Sequence, residues 1–325
     1  MSEKKVLVTG SNGYIGSNIA KAFSNISWEV YGIDRNTTNM NARHYHKELL
    51  KADFGDYAMI KKYLENVKPD VVVHCGGSNF AQPSRENPSE YYLNNVVGTI
   101  NLLRAIIETC SDKLPVVLFS SSASVYDNVD GLVTEETATN PSSPYGNTKL
   151  IIEGLLKDYY NAYGLVSISF RYFNVAGASI DLGPSTSSLH IISRVLQSAI
   201  NSNEFTLNGD GHHVRDYVHV EDVADAYLKA VVNHTPKSAE VYNLGTSIGV
   251  SNQQVIEYVR EHVNDFKVHN GPNREGDADQ LVADASKANK TLGWTPVKSN
   301  LETIINDAWA WYKQLEVQKL ENNVV

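Results

Sequence analysis

No stretch of this sequence approaches the ~20 consecutive apolar residues that a bilayer span needs. The strongest apolar runs, such as Val71-Val72-Val73, are the size of a strand. Met1-Ser2-Glu3-Lys4-Lys5 leads straight into Val6-Leu7-Val8, too short for the apolar region of a signal peptide, so a cytoplasmic location is expected. Cysteine is scarce: Cys75 and Cys110 lie in no CxxC and beside no spaced histidines. That excludes a disulfide scaffold and predicts reduced, structural thiols and no metal site. Basic residues are outnumbered, with 28 Lys+Arg against 37 Asp+Glu and a net charge of −9. Such a chain has no broad attraction for nucleic acid or an anionic membrane, and neither is an expected partner. Any anionic ligand must be held by helix N-termini and individual arginines.

What is present suits a large core. The 325 residues are 42% hydrophobic and 20% charged, which excludes a disordered or collagen-like chain and allows one large domain or two ordinary ones. The first two-thirds alternates strand and helix signals. Strands are read at Val6 to Thr9, Trp28 to Asp34, Asp70 to Cys75, Pro115 to Ser121 and Val166 to Tyr172. Helices are read over Tyr14 to Ser24, Asp56 to Asn66 and Ser89 to Thr109, with another after Pro144. Apolar strands alternating with helices predict an α/β fold, a doubly wound parallel sheet of Rossmann type. After about Asn174 that alternation is expected to give way to a smaller mixed α/β region, with Asp181 to Ser188 as a loop. The expected division is 1–175 for cofactor and 176–325 for substrate, with part of about 215–245 returning to the first domain.

Gly10-Ser11-Asn12-Gly13-Tyr14-Ile15-Gly16 follows the first strand and opens the first helix. By itself a glycine triplet is a loop. In this context it permits a tight turn, close approach of a pyrophosphate and tight helix–strand packing. Asp34 ends the second strand, where a carboxylate accepts from ribose hydroxyls and repels a 2′-phosphate. This favours NAD over NADP, although the adjacent Arg35 weighs slightly the other way.

Tyr145 and Lys149 stand four apart at a helix start and share a face, downstream of the serines Ser120, Ser121, Ser122 and Ser124. Elsewhere such a pair is a packed ring and a solvated amine. Here a nearby ammonium and a positive nicotinamide would favour phenolate. Moving the phenol from ~10 to about 7 takes roughly 4 kcal/mol.

These motifs resemble the extended short-chain dehydrogenases/reductases, and within them the UDP-glucose (UDP-galactose) 4-epimerase family. The resemblance extends through Tyr91-Tyr92-Leu93-Asn94-Asn95-Val96, Ser143-Pro144-Tyr145-Gly146-Asn147-Thr148-Lys149, Arg171-Tyr172-Phe173-Asn174, Val214-Arg215-Asp216-Tyr217 and Arg274-Glu275-Gly276-Asp277. It implies a tightly held NAD, with Tyr145 taking the proton of a sugar 4-hydroxyl directly or through Ser122, and Lys149 tuning Tyr145. It implies that Asp53 and Phe54 contact adenine, and that Cys75, Gly76, Gly77, Asn79, Asn95, Ser120 and Phe173 line the cofactor. The nucleotide sugar would lie against Ser122, Tyr145, Asn174, His190, Arg215, Arg274 and Asp277, in a homodimer. Taken alone, Arg274 beside Glu275 also reads as a surface ion pair, and His190 as a helix-start residue.

Departures from the family pattern matter. Asn79 stands where many members carry lysine, the segment Leu207 to His213 is short, and Leu281 is intermediate at a position that sets pocket width. Other UDP-sugars (N-acetylhexosamine, uronic acid or pentose) therefore stay open as substrates. Ser124-Val125 lacks the acid pair of a 4,6-dehydratase. A silent NAD-binding sensor is the remaining alternative, against which stand the retained Tyr145 and Lys149.

Overall fold

A computed structural model describes residues 3–126, 129, 131–185, 188–201, 203–272 and 278–322. Seven parallel strands form the central sheet: β1 (Lys5–Thr9), β2 (Glu29–Asp34), β3 (Glu48–Lys51), β4 (Val71–His74), β5 (Val116–Ser120), β7 (Ser167–Tyr172) and β11 (Ala239–Leu244). Their order is β11-β7-β5-β4-β1-β2-β3. The strand order reverses between β1 and β4, and a crevice opens at the carboxyl edge of the sheet there.

Both faces of the sheet are covered. Helices α1 (Tyr14–Asn25) and α9 (Val220–Val232) pack on one side, where Ile19, Phe23, Phe170 and Tyr227 are buried. On the other lie α3 (Tyr57–Val67), α6 (Gly98–Thr109) and α7 (Pro144–Tyr163) over Leu7, Val72, Phe119 and Ile152. Burial on both faces is why β4 and β7 are closed to solvent at every residue and read as continuous runs.

Short helices α2 (Met40–Arg43), α4 (Ala81–Glu86) and α5 (Pro88–Tyr91) fill the connections. A second sheet joins β6 (Leu132–Val133), β8 (Asn174–Ala176), β10 (Val214–His219), β12 (Gly249–Ser251) and β14 (Gln280–Ala283), and β9 (Phe205–Asn208) pairs with β13 (Val268–Gly271). A separate core, with Leu196, Val259 and Trp311, lies among α8 (Ile191–Asn201), α10 (Asn252–His262) and α12 (Leu301–Asn322). Helix α11 (Ser286–Leu292) packs near β11. Among the described residues no helix is long and apolar enough to cross a membrane.

Two expectations are corrected and one strand was not read. Strand–helix alternation is not lost after Asn174, since β10, α9 and β11 follow in succession; the Gly, Ser, His and Pro residues punctuate loops rather than ending the pattern. The helix read from Ser89 to Thr109 is interrupted by a π-helical turn at Tyr92–Val97, a widening that hydrophobic periodicity does not reveal. The strand β3 is short, half-exposed and charged at both ends, as edge strands are, and gives no apolar signal.

Candidate active site

The crevice is a cavity of about 1230 Å³ at the carboxyl ends of β1, β2, β4, β5 and β7. Its floor is the turn after β1. Gly10 has φ +67, and a Cβ there would stand 2.8 Å from the Gly76 nitrogen, so the loops after β1 and β4 touch backbone to backbone. Gly13 is the N-cap of α1 with no side-chain cap bond, which leaves first-turn N–H groups to an anion. Tyr14, Ile15 and Gly16 complete this wall. Asp34 binds the turn: its carboxylate accepts from the Asn12 nitrogen and the Asn36 nitrogen, both at 2.9 Å. Arg35 and Phe54 line the same end. Asp53 does not; its carboxylate turns back to cap the Gly55 nitrogen at 2.8 Å and stands 4.0 Å from Arg35.

The segment after β4 supplies Cys75, Gly76, Gly77 and Asn79 to the wall. A Cβ on Gly76 would fall 2.7 Å from the Phe54 ring, so glycine keeps this side of the cradle open. Asn95 lies behind the wall. Its amide oxygen accepts from the Ser78 nitrogen at 2.7 Å, and its nitrogen donates to the Ser78 carbonyl and to Thr148 Oγ1, both at 3.0 Å. Asn94 donates to Ser78 Oγ at 2.8 Å. The π-helical turn thus presents two successive asparagines to Ser78, in the segment that follows β4.

Beneath this segment His74 sits fully buried between Thr9 and Thr99. Thr99 donates its proton to the Asn95 carbonyl, so it accepts from His74 Nε2–H, and Nδ1 then accepts from Thr9. Burial and the Lys149 charge push the imidazole down to about 3.

Tyr145 and Lys149 enter from the first turns of α7. Pro144 at its start and Ser143 Oγ, accepting from the Gly146 nitrogen at 3.2 Å, fix where the helix begins. Lys149 Nζ donates to the Ser120 carbonyl at 2.7 Å and lies 5.7 Å from the centre of the Tyr145 ring. Ser122 lines the cavity beside Tyr145, and its hydroxyl draws the phenol down. The expected lowering of the phenol by the ammonium does not dominate. Burial holds the Tyr145 phenol above its usual value although Ser122 draws it down, and burial pulls the Lys149 ammonium down to about 8. Desolvation of two neighbouring groups, each disfavouring its own charge, is the cause.

The opposite wall carries Phe173, Asn174, His190, Arg215 and Leu281. Asn174 opens β8 beside Tyr217 of β10, and the His190 ring lies 5.1 Å from Phe80. Arg274 and Asp277 fall outside the described residues. Sequence reasoning missed Phe80, which lines the cavity with φ +75, and gave no role to Tyr91, whose hydroxyl donates to the Asn79 carbonyl. Phe80 stands in no motif, and the contacts of both residues are made only on folding. Among the described residues no cluster of His, Cys, Asp and Glu could hold a metal ion.

The glycine cradle, the uncapped helix start, Asp34 and the length of the cavity fit a dinucleotide with room for a second ligand beyond it. Comparison with known proteins bears on this. Residues 6–245 match the NAD dependent epimerase/dehydratase family. The chain is 37% identical to a UDP-glucose 4-epimerase of Lactobacillus helveticus, over 95% of its own length and 97% of that protein. A crystal structure of UDP-glucose 4-epimerase from Bifidobacterium longum in complex with NAD+ and UDP has a TM-score of 0.88 at 29% identity, covering 96% of this chain and 98% of that one. One from Stenotrophomonas maltophila, with bound NAD and formylated UDP-arabinopyranose, also has a TM-score of 0.88 at 29% identity, covering 97% and 100%.

Proposed function

The chain belongs to the NAD dependent epimerase/dehydratase family, and from that premise we propose that it is an isomerase interconverting UDP-galactose and UDP-glucose. The observation that carries this reading is the meeting of Tyr145, Lys149 and Ser122 in the same crevice as the Gly10 to Gly16 turn.

NAD supplies the acceptor, and then the donor, of the hydride at sugar C4. Its pyrophosphate would lie on the N-terminus of α1, its adenosine ribose at Asp34, and its adenine near Phe54 and Arg35. Tyr145 takes the proton of the 4-hydroxyl, directly or through Ser122, and later returns it. Lys149, held by the Ser120 carbonyl, supports the phenolate as it forms. Asn95 acts from behind the wall by fixing Ser78. The 4-keto sugar must present both faces to one hydride site, so it has to turn within the cavity, on the side bounded by Phe80, His190 and Leu281. Asn174, His190, Arg215, Arg274 and Asp277 are the proposed contacts of the nucleotide sugar. Discrete arginines suit the diphosphate of a ligand bound by a net-acidic protein.

The proposed division of labour gives residues 1–175 to the cofactor and 176–325 to the nucleotide sugar. Supporting a return of part of 215–245 to the first domain, β11 pairs with β7 and α9 packs on α1. The cytoplasm is the proposed location, consistent with the two free cysteines, Cys75 and Cys110.

A homodimer is also proposed. Leu93 is 63% and Val97 44% exposed on the π-helical turn, and on the adjoining α7 Ile151 is 41% and Tyr163 55% exposed. This apolar face of two neighbouring helices suits a second copy of the chain.

The test is proton NMR of UDP-galactose with purified protein and no added cofactor, with UDP-N-acetylgalactosamine run in parallel. UDP-glucose should appear from the first, and the second reads the pocket width set at Leu281. If neither sugar changes even with added NAD, the reading is overturned.

A further inference from the structure

One turn beyond Lys149 on α7 lies a buried carboxylate to which the chemistry above assigns no part. Glu153 forms a bidentate pair with Arg171 of β7: Nε approaches Oε1 at 2.9 Å and Nη2 approaches Oε2 at 2.5 Å. Both side chains are 7% exposed. Arg171 Nη1 donates on to the Tyr126 hydroxyl at 2.7 Å, which donates to Asn243 Oδ1 at 2.8 Å. The remaining bond is the one that concerns catalysis. Ser121 Oγ donates to Glu153 Oε1 at 2.5 Å.

Ser121 stands between two residues at the site: the Ser120 carbonyl takes Lys149 Nζ, and Ser122 lines the cavity with Tyr145. Tyr145, Lys149 and Glu153 are spaced four apart on one helix, so a single face of α7 meets three consecutive serines. Gly146 of α7 also packs against the Ser124 backbone, but the Glu153–Ser121 bond is a side-chain tie from α7 to the middle of this segment that uses neither reactive group.

We infer that Glu153, braced by Arg171, is a positioning residue for this reaction: through Ser121 it holds the Ser120–Ser122 segment at the spacing that Tyr145 and Lys149 require, and its charge faces the Lys149 ammonium. The inference rests on the epimerase reading. An ion pair retained in the core is costly to desolvate, and apolar packing usually serves stability as well, so its place beneath the reactive pair calls for a role beyond stability. Facing Lys149 are Tyr145 and Glu153 from its own helix, and His74 and Cys75 from the end of β4; Tyr172 of β7 faces Cys75 and Tyr145. Of these, Glu153 is the carboxylate, and both it and Cys75 oppose the downward pull of burial on Lys149.

The experiment measures kcat, KM and the pH dependence of kcat for the wild type, Ser121→Ala, Glu153→Asp and Glu153→Gln, with thermal unfolding of each. Ser121→Ala leaves the ion pair intact and should lower kcat about tenfold at nearly unchanged KM and melting temperature. Glu153→Asp keeps the charge but shortens the reach, so kcat should fall while the alkaline limb stays in place. Glu153→Gln removes the charge and should move that limb to lower pH by about one unit, because Lys149 then loses its proton more readily. If Glu153→Gln does not fold with Arg171 left unpaired, Glu153→Gln/Arg171→Gln replaces it and should show the same low kcat. A kcat within twofold of wild type in Ser121→Ala, or losses in the Glu153 variants that only follow melting temperature with no change in the pH profile, would overturn the inference. An inactive wild type would instead count against the epimerase reading.

Discussion

A Cβ on Gly16 would stand 2.2 Å from the carbonyl oxygen of Gly10, so the first turn of α1 rests directly on the turn that precedes it. The obstructing atoms are backbone and cannot swing aside. Gly16→Ala should therefore separate helix from turn, destabilise the protein by about 3 kcal/mol and release the dinucleotide. Denaturant unfolding and the nicotinamide content of purified protein check this; an alanine variant that keeps its NAD and its midpoint would show that the turn yields.

Tyr145→Phe removes the proton acceptor and little else, because the ring stays packed edge-on against Tyr91. Turnover of UDP-galactose should fall by about 10²- to 10⁴-fold, with melting temperature within a few degrees of wild type. A variant turning over at wild-type rates would remove the phenol from the mechanism.

His74 lets acid stability be predicted with its sign. Its folded value is about 3 against 6.5 in the unfolded chain, so between these the unfolded state binds more protons and stability falls as pH drops. The loss reaches about 1.4 kcal/mol per pH unit below 6.5. His46, His190 and His219 are also pushed down by burial, so the wild-type slope alone does not isolate His74. Urea midpoints at pH 7, 6 and 5 should fall more steeply for wild type than for His74→Gln, and parallel lines would contradict the assignment.

The apolar face formed by the π-helical turn and α7 predicts assembly. Light scattering should give a dimer for the wild type and a monomer for Leu93→Glu/Ile151→Glu, since each change places a charge where a partner would cover an exposed apolar side chain. A monomeric wild type would remove the dimer, and a double variant that still dimerises would place the interface elsewhere.

Much of the site was legible because its pieces are local. The Gly10 to Gly16 turn lies between one strand and the next helix, Asp34 ends the following strand, and Tyr145 and Lys149 share a face by helical spacing. What stayed hidden involves partners far apart in the chain: Asn95 with Ser78 across 17 positions, Ser121 with Glu153 across 32, Tyr126 with Asn243 across 117. No periodicity encodes such pairs, and Asn95, expected against the cofactor, turns out to stand behind the wall.

From the sequence alone follow the parallel α/β sheet, the dinucleotide turn and a Tyr145–Lys149 pair on one helix face, since apolar periodicity, glycine's lack of a side chain and helical spacing act over a few residues. Tertiary structure alone decided the π-helical turn behind Ser78, the place of Phe80 in the cavity lining, and the protonation tendencies of Tyr145 and Lys149. Those depend on how much water the assembled walls exclude. Burial raised the Tyr145 phenol and lowered the Lys149 ammonium, and burial is a property of the closed crevice rather than of any segment lining it.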